Sequence, residues 1–116
     1  MDKKHQAQLR DDLFRHLDGL VTAPTAFALH QKGVTTHLLQ EKSVLLHDLA
    51  ARFGANEGYL NVALRVLASQ GWLTHTIEAE DQIRISTNDL SEQAFGMIPF
   101  YQDVVHLIRF SGNYHR

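Results

Sequence analysis

Eight histidines, at positions 5, 16, 30, 37, 47, 75, 106 and 115, come first, because imidazole both ligates metals and carries protons near neutral pH. A zinc pair on a helix needs i, i+4 spacing and on a strand i, i+2, so that both rings face one ion. No two of the eight are so placed. They read as solvated or hydrogen-bonded rings, with His106 set apart because it interrupts an apolar stretch, where a buried imidazole would face a substrate. Asp11 with Asp12, and Glu78 with Glu80, make poor acid/base pairs: the first lies on an exposed helix face and the second on a hairpin tip, where nothing desolvates a carboxyl group. Cysteine is absent, which removes a thiolate metal site, a disulfide framework and a cysteine nucleophile together. The seven glycines, at 19, 33, 54, 58, 71, 96 and 112, never form G-x-G, so no glycine-rich turn brings backbone amides close to a dinucleotide or a methyl donor.

The elements that carry these residues follow from hydrophobic spacing. Leu9, Leu13, Leu17 and Leu20 recur every three or four positions with Arg10, Asp11, Asp12 and Arg15 between them, which predicts an amphipathic helix over about 4–19. Thr22 and Pro24 read as the cap and first turn of a second helix, or Pro24 as a kink, with Gly33 as its stop. Val34 to Leu39 reads as a short helical connector ended by Glu41 and Lys42. From Ser43 a helix is expected with Leu46, Leu49, Ala50 and Phe53 on one face and Gly54 as terminator. Asn56 caps the next, whose stripe is Leu60, Ala63, Leu64, Leu67 and Ala68, with Gly71 ending it. Alternation then predicts strands over 72–77 and 83–87 around a polar tip, Glu78 to Gln82. A short helix is expected over Asp89 to Ala94, and Pro99 is placed to open a longer one to about Phe110.

At 116 residues, with 44% apolar and 21% charged, the chain has the size and composition of one globular domain able to bury its own core. No repeat, low-complexity tract or linker divides it, so residues 1–116 read as a single domain: a helical arm over 4–39, a helix-turn-helix with wing over 43–87, and a C-terminal helical segment over 89–110. The class is mainly α, a winged helix-turn-helix with N-terminal helices, a β-hairpin wing and a C-terminal helix. No run approaches the 18 or more apolar residues of a membrane span and the first twenty residues are charged throughout, so a cytoplasmic protein with no membrane partner is expected.

The stretch SVLLHDLAARFGANEGYLNVALRVLASQGWL, with AFALHQKGVTTHLL ahead of it, resembles the N-terminal domain of S-adenosylmethionine-dependent methyltransferases of the O-methyltransferase type over residues 9 to 87. Within that family it is similar to methyltransferases associated with polyketide synthases. The resemblance implies a non-catalytic domain that dimerises or lids an active site, with S-adenosylmethionine bound by a separate catalytic domain and no cofactor in this chain. It also resembles the ArsR/MarR-like transcriptional regulators, which is the alternative reading. A third is an adaptor that uses the fold only for protein contacts.

Charge separates these readings. A winged helix reads DNA with its second helix in the major groove and its wing along the phosphates, and both need donors and positive charge. Here the helix is expected to offer Asn61, Arg65, Ser69 and Gln70, with one cation offset by Glu57, and the wing presents Glu78, Glu80 and Asp81. The net charge of −2 also lacks the basic excess of a phosphate binder, so nucleic acid is not the expected partner. Between Met97 and Phe110 only Gln102, Asp103, His106 and Arg109 are polar, and on a helix they fill one sector of roughly 120°. Phe100, Tyr101, Val104, His106, Leu107 and Phe110 are therefore the candidate substrate-lining or interface residues. The expected partner is a methyltransferase catalytic domain or second subunit, with the chain forming a homo-oligomer.

Overall fold

The computed structural model describes the backbone of residues 2–101 and, within it, all side chains but those of 14–20 and 101. The chain runs through α1 (Lys3–Gln31), α2 (Val34–Glu41), β1 (Ser43–Leu45), α3 (Leu46–Phe53), α4 (Glu57–Ser69), β2 (Thr74–Ile77), β3 (Ile83–Ser86) and α5 (Ser91–Gly96), then a 3-10 turn over Ile98–Tyr101. This is the winged helix-turn-helix expected from the sequence, with α3 and α4 as the helix pair and β2–β3 as the wing.

The first two expected helices are one. Asp2 caps α1 by accepting the His5 N–H at 2.7 Å, and the helix continues unbroken through Pro24. Proline has no N–H to give the Leu20 carbonyl, which weakens the helix locally. Burial of Thr22, Ala23, Ala26, Phe27 and Leu29 against the body offsets that loss. Thr22 is thus a buried interior residue, not a cap. Of the leucines ahead of it, Leu9 and Leu13 are not in the core, being 49% and 56% exposed.

Gly33, at φ +88, ends α1 and admits α2 at once. The chain then enters a strand that periodicity did not reveal. Ser43–Leu45 was expected to begin a helix, but it pairs antiparallel with β3, Val44 opposite Ile85. Three residues are too few to show an alternation, and the partner edge lies some 40 positions away, so the pairing is decided by tertiary structure. β3 is the centre of a three-stranded sheet of order β1-β3-β2, and His75 flanks Ile85 on its other side.

α3, α4 and the sheet close on one core. Leu38, Leu46, Leu49, Leu64, Leu67, Ile85, Phe95 and Ile98 are all essentially without solvent exposure. The stripe expected on α4 is the buried one at its leucines, with Ala63 and Ala68 half-buried beside them. α5 begins two residues later than expected. Ser91, fully buried, accepts the Asn88 N–H at 2.9 Å and donates to the Trp72 carbonyl, fastening the segment to the end of α4. Pro99 sits in a 3-10 turn that packs on α1, and the helix expected beyond it lies outside the described residues.

Candidate functional site

A winged helix meets its partner with the outward face of the second helix and with the wing, so the site is built from α4 and the β2–β3 hairpin. Gly54, at φ +60, stops α3, and Asn56 accepts the Tyr59 N–H at 3.0 Å to start α4. With Leu60, Leu64 and Leu67 turned inward, Glu57, Tyr59, Val62, Arg65 and Ser69 face outward. Tyr59 and Val62 are 79% and 60% exposed. The sequence reading passed them over, although a helical wheel puts both off the leucine stripe.

Of the four polar residues expected to be offered, one is free. Asn61 is half-buried, and its Oδ1 accepts from His75 Nε2 at 2.8 Å, which pins α4 to β2. Ser69 Oγ donates to the Val66 carbonyl at 2.6 Å, and Gln70 is half-buried. Arg65 is exposed and makes no hydrogen bond or ion pair. At the head of the helix Glu57 Oε2 lies 3.4 Å from His47 Nδ1.

The wing is acidic at its tip. Arg84 Nε donates to Glu78 Oε1 at 2.7 Å and Nη1 donates to Ser43 Oγ at 3.0 Å, so the wing's one cation is committed within the sheet. Glu80 and Asp81, both exposed, have no such partner. They occupy the left-handed region at φ +62 and +58, and the Gln82 N–H donates to the Ala79 carbonyl across them, the geometry of a tight hairpin turn. Between this tip and the helix pair is a hollow of about 290 Å³ lined by Leu45, His47, Asp48, Glu57, Asp81, Gln82 and Ile83. Three carboxylates thus face the groove where a winged helix would straddle a phosphate backbone.

Among the described residues no three of His, Asp and Glu are placed to hold a metal ion. His30 is tied to Thr35 at 2.9 Å, and His37 stands edge-on to Phe53 with centroids 5.6 Å apart. Of the residues singled out near the C-terminus, Phe100 is 76% exposed and Tyr101 ends the 3-10 turn. Val104, His106, Leu107 and Phe110 lie outside the described residues. No described helix is long and apolar enough to cross a membrane.

Comparison with known proteins adds a family and a set of folds. Residues 9–75 match the family model described as the AprA N-terminal domain. No curated protein matches the chain. Among solved structures, the YusO protein of Bacillus subtilis is 17% identical, with 90% of this chain and 83% of that one aligned at a TM-score of 0.51. A MarR transcriptional regulator of Methanosarcina mazei Go1 is 15% identical, over 94% and 82%, at 0.51. Overoxidized AbfR bound to DNA is 17% identical, over 97% and 96%, also at 0.51. At such identities the likeness is one of fold. It corrects the expectation of a methyltransferase and of a place in polyketide biosynthesis: the structures that share the fold are described as transcriptional regulators, several of them of the MarR family, and not as methyltransferases.

Proposed function

The chain belongs to the AprA N-terminal domain family, and from that premise we propose that it is a winged-helix recognition module whose α4 face and wing meet protein and not DNA. The observation that carries this is the charge of the groove between α4 and the wing, where Asp48, Glu57 and Asp81 stand in place of cations. A duplex gains its non-specific affinity by exchanging counterions for Lys and Arg. On the outward face of α4 the one cation is Arg65, whereas Asp48, Glu57 and Asp81 line the groove and Glu80 is exposed at the wing tip. Exposed Tyr59 and Val62 suit a protein partner instead, since aromatic and apolar side chains ringed by polar groups are what such interfaces bury.

Self-association belongs to the same proposal. Leu9, Leu13 and Val21 are each about half exposed along α1, and a second copy would cover them. A second reading, a DNA-binding regulator of the MarR type, is favoured by one observation: nearly the whole chain aligns with nearly the whole of AbfR, which was solved bound to DNA. Fluorescence anisotropy with a random 30-base-pair duplex at low salt distinguishes the two. No saturable rise at micromolar protein is the expected result, and tight binding that weakens steeply with salt would establish the regulator.

A further inference from the structure

Resting on the reading that α4 and the wing meet protein, we propose that their occupant is a partner segment carrying an arginine two or three positions from an apolar residue. The arginine seats between the wing and the helix pair, and the apolar residue covers the outward face of α4. That face has an apolar centre. Tyr59 and Val62 are 79% and 60% exposed, and their three-residue spacing makes them neighbours on the helix surface. One leucine-sized side chain of a partner could shield both from water.

Charge complementarity identifies the rest of the segment. The hollow of about 290 Å³ beside α4 takes its carboxylates from three elements, Asp48 of α3, Glu57 of α4 and Asp81 of the wing, and no Lys or Arg lines it. Glu57 Oε2 lies 3.4 Å from His47 Nδ1, while Asp48 and Asp81 are exposed and have no hydrogen-bonding or ionic partner among the described residues. Leu45 and Ile83, both half-buried, give the same hollow apolar walls. Arginine suits that combination, because its methylene stem lies against apolar surface while its five N–H donors serve carboxylates from several directions. The ammonium of lysine is a compact, strongly hydrated point charge without that fork. A bare metal ion would need three ligands converging on one point, which the described residues do not offer. The interval follows from helix geometry: Glu57 and Val62 are five residues apart on α4, roughly 7.5 Å along its axis, a length that two or three residues of extended chain span.

The test is a titration of the ¹⁵N-labelled chain, followed by amide chemical shifts, with a capped peptide in which two leucines are flanked on each side by two arginines. Parallel titrations use a version with glutamates for the arginines, a version with serines for the leucines, and the 30-base-pair duplex. Saturable shifts from the arginine peptide are expected, confined to residues 45–48, 57–62 and 81–83. The glutamate version should not bind, and the serine version should bind about fivefold more weakly for want of the apolar contact. Asp48→Asn/Asp81→Asn, at exposed side chains, should weaken the arginine peptide about tenfold, each exposed ion pair being worth about threefold, with the spectrum as well dispersed as before. Val62→Ser, also at an exposed position, should bring the arginine peptide to the level of the serine version and leave the serine version unchanged. Absence of saturable shifts below about 1 mM peptide, shifts scattered over the surface, equal affinity for the arginine and glutamate versions, or indifference to Asp48→Asn/Asp81→Asn would each overturn this assignment, and with no duplex binding the reading of a protein-facing module would still stand. Saturable duplex binding through the same amides would overturn both.

Discussion

Ser91 shows how much one buried polar group can hold. It has no solvent exposure, accepts the Asn88 N–H at 2.9 Å and donates to the Trp72 carbonyl, while the Asn88 side chain donates to the Gly71 carbonyl at 3.0 Å. Ser91→Ala would strand a donor and weaken the hold on an acceptor in a place water does not reach. A loss of about 2 kcal/mol is expected by urea denaturation, and a change within error would mean that the segment is fastened by apolar packing alone. Residue roles of this kind were the least legible in the sequence. Asn61 was expected to face solvent, and nothing local says that His75, fourteen positions away, would take it.

Elements were legible where a local rule and the tertiary structure agree. Gly33, Gly54 and Gly71 were read as stops, and all three have positive φ. The leucines of α3 and α4 were read as a core face and are buried. Where the local rule conflicted with packing, packing prevailed: Pro24 sits inside α1, and Ser43–Leu45 is a strand because β3 offers an edge. The wing keeps a local conflict of its own. Glu80 and Asp81 both adopt left-handed backbone, which favours Asn and Gly and costs other residues about 1 kcal/mol apiece. The double variant Glu80→Asn/Asp81→Gly should therefore be more stable by about 1 kcal/mol, seen as a rise of several degrees in Tm. An unchanged or lower Tm would show that the tip does not hold this turn in solution.

For the molecule as a whole, two surfaces are at issue. The stripe on α1 was read from the sequence as the apolar face of an amphipathic helix, and the described body does not reach Leu9 or Leu13. If a second copy covers them, Leu9→Asp/Leu13→Asp should convert a dimer to a monomer in light scattering at about 50 µM protein. A wild-type chain that is already monomeric at that concentration would rule the dimer out. The winged-helix plan was legible because it is an order of elements. The methyltransferase expectation was not grounded in the chain's own chemistry, and the fold comparisons replaced it. The acidic wing tip, by contrast, was visible in Glu78, Glu80 and Asp81 before any coordinates, as was Glu57 on the helix; Glu78 proved to be paired with Arg84, and Glu57 lies 3.4 Å from His47.

The claim that charge keeps this winged helix off DNA is tested most directly by a salt series of duplex anisotropy on two proteins, the wild type and Glu80→Lys/Asp81→Lys. The wild type should show no saturable binding at any salt concentration. The variant, with the tip reversed from two negative to two positive charges, should acquire weak binding whose log–log salt slope is about −0.9 for each phosphate it contacts. Submicromolar binding by the wild type with a steep slope would contradict the account, because the groove would then be reading a polyanion despite its carboxylates.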